Sequence, residues 1–563
     1  MMDRNTLTAL LLITLVLVLT PYYMELVSPA PQPEYEDTDG LYEDTDEVVV
    51  DNSYNTLPKD NKTNKAPRSL LDLGSLAPTE DKTIVIESDL YIAKLSSAAG
   101  GSVLSYKIKE HLSPDSAYVD LVTTENRNNL LISFRGVDGD IINLQSGWVQ
   151  QDAPDSVYLI NPETISYTNR IGEKTITKTI TLYPDDFIMD IEIDVSSVSD
   201  DILGGGFLFS WLGGLPTTEK DTITEKTYFG AYLYQGGELL DIKAGSGESF
   251  KNEYKGQTDW VAIRTKYFVT ALLDNGSNQI MGSTISAANT AKELYDIAIE
   301  LPTNQKVDVS LYLGPLEYDR VKNLNANLEA IMNFGWTIIR PISKGVLWTL
   351  KSMHRYIPNY GIILIIFSIM VKLIVYPLTK KSYQSTTAMQ ALQPEINNLK
   401  EKYKNNPTKL NQATMELYKK KGVNPLGSCL PMLLQMPLLI ALFTVFRSTI
   451  ELRGEPFVFW IKDLSAPDII FNLPFKIPIY GDYVCALPII MALSMYAQQK
   501  MMMVEGANQE QQKLMQYFMM GFFFLLFNSF PSGLNLYYTL FNVLTIAQQK
   551  LTGSRPPGAQ HGT

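Results

Sequence analysis

A single charged residue interrupts a long apolar stretch of the chain. Lys372 lies in the run Gly361–Ile374, which continues through Val375–Leu378. A charge at the centre of a membrane-spanning helix costs roughly 3 kcal/mol on insertion scales, so such residues are normally present for function. An ammonium group at that depth could attract an acidic group or relay protons. Its chemistry therefore depends on the residues that surround it.

Polar side chains in the later apolar runs are the candidate neighbours of Lys372. They lie on the predicted third, fourth and sixth spans, and they are Gln435, Ser494, Gln498, Asn535, Tyr538, Thr539 and Asn542. Together with the apolar Met436 and Pro437, they could line a path for a substrate. Polar residues in membrane spans more often join helices through hydrogen bonds. Both roles therefore remain open for these residues.

The composition divides the chain into a membrane part and an outer part. A length of 563 residues exceeds what one hydrophobic core supports, so at least two domains are expected. The net charge of −13 belongs mostly to the part outside the apolar runs and argues against nucleic-acid binding. The two cysteines and three histidines show no metal-binding spacing, so we predict neither a metal nor a cofactor.

Six membrane spans are predicted from the apolar runs. The first lies in residues 1–24, where Leu7–Leu19 forms an uncleaved anchor or a cleaved signal peptide; the poor cleavage context at Pro21–Tyr23 favours the anchor. The other five cover residues 358–378, 426–450, 484–502, 514–530 and 533–551. Residues 552–563 would form a short tail.

The segment after the anchor is predicted to be a disordered linker, residues 25–79. Its first part, residues 25–60, carries eleven acidic residues and one base, Lys59. Such a segment cannot bury enough apolar surface to fold. A solvated tether is the main interpretation, and an acidic docking tail is the alternative.

Residues 80–317 carry the pattern of β-strands. Apolar and acidic residues alternate in Phe187–Val195, which indicates a strand with one solvated face. Similar strands are predicted at Thr175–Leu182, Trp260–Leu272, Glu293–Leu301 and Lys306–Leu313. Many strands over this length predict a large antiparallel all-β sandwich.

Residues 318–357 are predicted to form an amphipathic helix. Apolar residues recur near helical spacing, and two tryptophans accompany them: Ile338, Ile342, Leu347 and Leu350, with Trp336 and Trp348. The helix would lie in the membrane interface, where tryptophan acts as an anchor. Ordinary packing against the rest of the protein is the alternative.

The loop charges predict which side of the membrane each segment occupies. Residues 379–424 hold nine lysines and three glutamates, so this loop is placed in the cytoplasm and residues 451–483 outside. Residues 25–357 would then be exported, and the C-terminus would be cytoplasmic. The loop is predicted to be a helical hairpin of Tyr383–Lys404 and Lys409–Lys421. It would contact anionic lipid headgroups or receive incoming polypeptide and its targeting factors.

Several motifs resemble one protein family. Val371–Lys380 resembles the second span of the YidC insertases, bacterial relatives of the oxidase-assembly and Albino proteins. Lys419–Pro437 is similar to the entry of that family's third span, and Phe530–Tyr538 to its last hairpin. The outer region more loosely resembles the family's periplasmic domain at Trp260–Ala262, Lys266–Phe268 and Tyr312–Pro315.

The resemblance implies a polytopic α-helical inner-membrane protein of six spans, five of which, within residues 358–551, form an insertase core. The core would enclose a hydrophilic groove open to the cytoplasm, and residues 80–317 would form a periplasmic all-β supersandwich without catalysis. The implied role is a membrane insertase and chaperone that needs no nucleotide hydrolysis. Its partners would be nascent membrane proteins, the ribosome or targeting factors, membrane lipids and the Sec translocon. The family usually has arginine where this chain has Lys372, and lysine lacks the bidentate fork.

Two other classes of function compete with an insertase. An ion-coupled transporter could use Lys372 as its relay, but a relay usually needs an intramembrane acid, and the middle of spans two to six holds neither Asp nor Glu. A sugar-processing protein would need a cluster of carboxylates and histidine in the β region, where His111 alone is insufficient. The sequence therefore predicts no enzyme activity.

Overall fold

The computed structural model describes residues 81–552, except 123–128, 152–153, 246, 290–292, 405, 424–429, 478–479 and 503–508. The predicted anchor 1–24, the linker 25–79 and the tail from residue 553 lie outside the described residues. The described part divides into a strand-rich region and a helical region. The two are joined through the segment that follows residue 315.

The strand-rich region contains twenty strands within its described residues. They are β1 (Thr83–Glu87), β2 (Tyr91–Ser96), β3 (Ser102–Leu112), β4 (Tyr118–Asp120), β5 (Leu131–Arg135), β6 (Ile141–Asn143), β7 (Trp148–Gln150), β8 (Ser156–Tyr158), β9 (Glu163–Ile171), β10 (Lys174–Leu182), β11 (Ile188–Asp194), β12 (Gly206–Trp211), β13 (Gly230–Gln235), β14 (Glu238–Ile242), β15 (Ser249–Lys255), β16 (Thr258–Arg264), β17 (Phe268–Asp274), β18 (Gly282–Asn289), β19 (Glu293–Pro302) and β20 (Val307–Pro315).

These strands form three sheets that pack around one core. The largest has the order β14-β13-β16-β17-β20-β11-β10-β9-β7; the others are β15-β18-β19-β12-β5-β6 and β4-β3-β2-β1-β8. Pairing is antiparallel except between β1 and β8. Trp148, Trp211 and Trp260 are buried in the core. The β-strand-rich outer region predicted from the sequence is therefore confirmed.

One predicted strand is wrong. Trp260–Leu272 was expected to be continuous, but the chain turns after Arg264, and β16 pairs with β17 so that Val261 lies opposite Leu272. Nearly every residue of this hairpin is buried, so the sequence has no alternation of apolar and polar residues that would show where each strand ends. The turn also lacks glycine and proline, which would have indicated it.

A buried lysine lies between the sheets. The Nζ of Lys178 on β10 donates to the carbonyl oxygens of Ala99 and Leu130, at 2.6 Å each. It also lies 5.4 Å from the ring centroids of both Trp148 and Phe209. Ala99 and Leu130 have φ angles of 51° and 59°, in the left-handed region that L-residues rarely adopt. Burial lowers the pKa of Lys178 to about 7.

Two short helices precede the helical region: α1 (Thr222–Lys226) lies between β12 and β13, and α2 (Tyr318–Asn323) follows β20. The described helical region itself contains helices and one further hairpin of strands. The rest are α3 (Arg340–His354), α4 (Tyr360–Ala391), α5 (Gln393–Lys402), α6 (Pro407–Lys420), α7 (Leu430–Ser448), the strands β21 (Ile469–Ile477) and β22 (Gly481–Cys485), then α8 (Ala486–Met502), α9 (Gln509–Phe527) and α10 (Ser532–Thr552).

Helix α4 is longer than the predicted second span. It runs for 32 residues, with Pro377 in its interior, and enters the region predicted as a loop. The first helix of the predicted hairpin, Tyr383–Lys404, is therefore wrong, because its first half continues α4 and α5 begins only after a break at Leu392. Pro394 in the first turn of α5 accounts for the break, because proline has no backbone N–H to donate to the carbonyl oxygen of residue 390 and its ring clashes with that carbonyl.

Two further differences concern the predicted outer segments. The loop predicted at residues 451–483 contains most of the hairpin β21–β22. The amphipathic helix is confined to α3, where Leu347 and Leu350 are buried. Ile338, predicted on the same apolar face, is exposed together with Trp336 and Trp348. Within the described residues, Tyr360–Pro377 of α4 is the one helical stretch both long and apolar enough to cross a bilayer.

The helices α4, α8 and α10 meet at one end, on the segment between α7 and α8. Asn359, just before α4, donates its amide to the carbonyl oxygen of Pro456 at 3.3 Å. Ser532 at the start of α10 donates its hydroxyl to the carbonyl oxygen of Asp463 at 2.7 Å. The side chain of Asp468 accepts from the first two backbone N–H groups of α8, at 3.1 and 2.8 Å. This segment therefore fixes one end of the bundle.

Ion pairs connect the strand-rich and helical regions. Arg453 donates to Glu219 at 2.7 Å and to the carbonyl oxygen of Leu112 at 2.9 Å. Its guanidinium also lies over the rings of Tyr267 and Phe268 at the turn between β16 and β17. Most of these groups are buried, so the junction is a packed interface.

A second ionic cluster links α3 to its neighbours. The Nζ of Lys351 lies 2.9 Å from a carboxylate oxygen of Glu317, 2.6 Å from Asp319 and 3.4 Å from Glu451. Glu317 follows the last strand of the outer region, and Glu451 follows α7. One lysine therefore joins the strand-rich region, α3 and the segment that follows α7.

Candidate functional site

Lys372 is buried within the helical bundle. It lies twelve residues after the start of α4, about 18 Å along the helix at 1.5 Å per residue. Its side chain is 7% exposed. The Nζ donates to the hydroxyl of Thr545 on α10 at 2.7 Å and lies 4.5 Å from the ring centroid of Phe541. Among the described residues, none of the ion pairs involves Lys372.

Thr545 is a site residue that the sequence analysis missed. Its hydroxyl donates in turn to the carbonyl oxygen of Phe541 at 2.7 Å. One turn further along, Gln548 donates to the hydroxyl of Thr379 at 3.0 Å. Lys372 and Thr379 are seven residues apart on one face of α4. We call the four residues Lys372, Thr379, Thr545 and Gln548 the polar seam.

The spacing of polar residues along each helix was the feature of the sequence that could have indicated the polar seam. Thr545 follows Asn542 by three residues, and Gln548 follows Thr545 by three, so all three lie near one face of α10. Lys372 and Thr379 repeat at seven residues on α4. This spacing shows which residues share a face, but not that α4 and α10 are neighbours.

Four of the predicted groove residues have described hydrogen-bond partners other than Lys372. Asn542 donates to the hydroxyl of Ser494 at 3.0 Å, which joins α10 to α8. Thr539 donates to the carbonyl oxygen of Asn535 within α10. Asn535 donates to the carbonyl oxygen of Phe527 at 3.1 Å. The bonds of Asn542 and Asn535 join α10 to its neighbours α8 and α9, which is the role that was left open beside a lining role.

Among the described contacts, none joins the remaining predicted residues to Lys372. Gln435 is half-buried on α7, about 20 Å from the C-terminal end of that helix, which is similar to the distance of Lys372 from the start of α4. Met436 beside it is 44% exposed, and Pro437 interrupts the helix interior. Gln498 is half-buried on α8, and Tyr538 packs edge-on against Phe527.

The ammonium group of Lys372 is a cation with more hydrogen-bond donors than Thr545 accepts. An ammonium group has three N–H donors, and Thr545 accepts from one of them. The other two can serve water or a carboxylate. In the part of the chain that the structure describes, no group of three or more His, Cys, Asp or Glu side chains is placed to hold a metal ion.

His111 does not supply a sugar-processing site. Its ring lies edge-on to Phe268, 6.1 Å between centroids, at the junction of the two regions. Burial and, to a smaller extent, the charge of Arg453 lower the pKa of His111 to about 4, although Glu317 opposes the shift. This histidine is therefore neutral near pH 7 and lies in a packed interface.

Two family models match the chain in succession. The model described as 60Kd inner membrane protein matches residues 352–557, which include Lys372 and the polar seam. The model described as YidC periplasmic domain matches residues 83–349, which include all three sheets. The boundary between the matches falls at the end of α3.

Curated relatives match along nearly the whole chain. The membrane protein insertase YidC of Chlorobium luteolum is 36% identical over 564 residues, with 97% of this chain and 94% of the relative covered. That of Chlorobaculum tepidum is 34% identical with the same coverage. A solved YidC insertase with its first transmembrane domain resolved covers 85% of this chain and 95% of its own, at 17% identity and a TM-score of 0.35. That structural similarity is too low to carry an argument.

Proposed function

Because this chain belongs to the YidC family of membrane protein insertases, we propose that it inserts client proteins into the inner membrane and assists their folding there. The full-length similarity to insertases supports this role. The same similarity gives no support to an ion-coupled transporter built on Lys372. The proposal therefore assigns Lys372 to client binding.

The proposed membrane placement follows the charges and the exposed aromatic residues. Residues 1–24 and five helices within 358–551 span the inner membrane, and the supersandwich of residues 80–317 lies in the periplasm behind the linker. Residues 379–424 and the tail are cytoplasmic. In residues 318–357, Trp336 is 77% exposed and Trp348 71% exposed, as expected for anchors at the bilayer surface.

The observation that carries the mechanism is the environment of Lys372. Its ammonium is buried beside one hydroxyl and one aromatic ring, with donors to spare. An acidic residue in the exported tail of a client would pair with it inside a hydrophilic groove. The polar tail would then cross only part of the hydrocarbon, which lowers the barrier because charge burial in lipid is costly.

The remaining site residues are proposed to line the client's path. Gln435, Met436 and Pro437 form the α7 wall, and the exposed Met436 offers an adaptable apolar contact. The polar residues of α8 and α10 form the other walls: Ser494, Gln498, Asn535, Tyr538, Thr539 and Asn542. Burial of the client helix in lipid contributes about 0.8 kcal/mol per CH₂ group, so partition can drive insertion without nucleotide hydrolysis.

The proposed partners approach from the cytoplasm and the membrane. Nascent membrane proteins, delivered by the ribosome or by targeting factors, would meet the basic hairpin α5–α6. An ion pair between Lys421 and Glu395, at 2.6 Å, ties this hairpin together. Membrane lipids surround the core, and the Sec translocon is a further partner within the membrane.

Substitution of Lys372 tests the proposal. Lys372→Ala should slow insertion of clients with acidic exported tails, and Lys372→Arg should retain it, because the charge rather than the ammonium shape is required. Clients with neutral tails should be affected less. Insertion of purified clients into proteoliposomes measures this, with Lys500→Ala, an exposed lysine at the end of α8, as the matched control. Equal insertion by all the variants, for both kinds of client, would overturn the role of the charge.

A further inference from the structure

The hairpin β21–β22 exposes apolar side chains on both of its faces. Ile469, Ile470, Phe471 and Phe475 are all exposed, Phe475 by 61%. Among the described strands, β21 and β22 pair only with each other. An isolated two-stranded hairpin is at best marginally stable in water. Its sequence and exposure therefore require an apolar surrounding.

The hairpin is fixed to the outer ends of two proposed spans. Strand β22 ends at Cys485, and α8 begins at the next residue. Asn528, just after α9, donates to the carbonyl oxygens of Tyr480 and Tyr483, at 2.8 Å each. The ring of Tyr480 lies 5.5 Å from that of Phe524, one turn further into α9. The hairpin therefore lies at the level of the last turn of α9.

A neighbouring loop extends the apolar surface. Phe459 is 91% exposed and stacks at 6.0 Å on Trp460. The indole N–H of Trp460 donates at 3.0 Å to the carboxylate of Asp468, which also accepts from the first backbone N–H groups of α8. Asp468 directly precedes β21. The loop and the hairpin are therefore anchored at one point.

The chemistry of this surface matches the boundary of a bilayer. In residues 469–485 only Lys476 and Asp482 are charged, so their formal charges cancel. The strand edges carry unpaired backbone groups, which the hydrocarbon centre does not tolerate. Apolar side chains beside such groups fit the headgroup and acyl boundary, where an apolar face is buried about 5–10 Å.

We propose that the hairpin β21–β22, with Phe459 and Trp460, is a lipid anchor that inserts into the periplasmic leaflet at the headgroup and acyl boundary. The proposal rests on the membrane placement in the proposed function, but not on client insertion. It would fix the outer ends of α8 and α9 in depth. A client or partner protein seated on the same surface is the competing occupant.

Depth-dependent quenching of a probe tests the anchor. Phe475→Cys, in a full-length chain with Cys429→Ala and Cys485→Ala, would be labelled with an environment-sensitive dye and reconstituted in vesicles of phosphatidylethanolamine and phosphatidylglycerol. Nitroxide lipids should quench the dye, and nitroxides near the headgroup and acyl boundary should quench it most strongly. Aqueous iodide should quench the dye at position 475 several-fold less than the same dye at the control position, Ile160→Cys. Ile160 is 79% exposed in the strand-rich region. Phe471→Cys provides an independent second position.

Two outcomes would overturn the anchor. Strong iodide quenching at both hairpin positions, without quenching by nitroxide lipids, would place the hairpin in water. Protection from iodide that arises only when a client is added would assign the surface to the client. Since the measurement without client needs no insertion activity, failure of the anchor and failure of the proposed function are distinguishable.

Discussion

At the scale of single residues, Thr545 is the partner that keeps the charge of Lys372 in place. Thr545→Val keeps the shape of the side chain but removes the acceptor, so the ammonium loses its one described hydrogen bond. We expect a loss of about 1–3 kcal/mol in stability, because a buried polar group is left unpaired. Thermal unfolding in detergent measures this.

Thr539→Val is the matched control for Thr545→Val. The hydroxyl of Thr539 donates only to the carbonyl oxygen of Asn535, one turn earlier in the same helix. Its loss should change stability little. If both variants unfold at the temperature of the parent protein, the bond between Lys372 and Thr545 contributes nothing measurable.

Lys178 predicts a pH dependence in the outer region. Because burial lowers the pKa of Lys178 to about 7 and the unfolded chain has the ordinary value near 10.5, the unfolded state binds more protons between these values. The free energy of unfolding should therefore rise with pH from 7 to about 10, by about 1.4 kcal/mol per pH unit. Urea titration followed by circular dichroism tests this, and Lys178→Met should abolish the slope. A slope unchanged in Lys178→Met would assign it to other groups.

At the scale of elements, the start of α4 is packed closely against the segment between α7 and α8. A methyl group on Gly361 would lie 1.8 Å from a ring carbon of Phe457, which must then move. Gly361→Ala should cost about 1–3 kcal/mol by overpacking. Gly345→Ala on α3 meets no atom within 4 Å and should stabilise the protein by about 0.5–1 kcal/mol, because alanine favours helix. Thermal unfolding of both variants checks the prediction, which fails if they shift in the same direction.

Elements with clear periodicity could be predicted from the sequence, and those without it could not. Alternation in Phe187–Val195 marked the strand that becomes β11, since one of its faces is solvated. The hairpin β21–β22 shows no alternation, because apolar residues occupy both faces. The hairpin β16–β17 is buried on both faces, so no change in the sequence pattern indicated its turn.

For a similar reason, only part of the candidate site could be predicted from the sequence. The position of Lys372 within an apolar helix follows from the sequence alone. Its contact with Thr545 depends on the rotation of α10 against α4, which no local pattern determines. Asn542 and Ser494 were named as candidate neighbours of Lys372, and their mutual hydrogen bond is likewise a property of helix packing.

At the scale of the whole molecule, the strand-rich region is joined to the helical bundle by Arg453 and by the ionic cluster around Lys351. Removing residues 83–315 would take Glu219 and Leu112 away from Arg453 but would leave Lys351 with Glu317 and Glu451. We expect insertion in proteoliposomes to persist and the unfolding temperature of the bundle to fall. Arg453→Ala in the full chain is the control, because it weakens the junction without deleting a domain. Loss of insertion by a still-folded bundle would contradict this view.

Helix α4 has a mechanical consequence. Its 32 residues extend about 48 Å, whereas the hydrocarbon of a bilayer is about 30 Å thick, so in the proposed membrane placement the helix would project well beyond it. Pro377 removes one backbone hydrogen bond five residues after Lys372, and bending concentrates where the ladder is interrupted. Bending of the projecting end is therefore expected to concentrate near Pro377, beyond the half of the helix that carries Lys372.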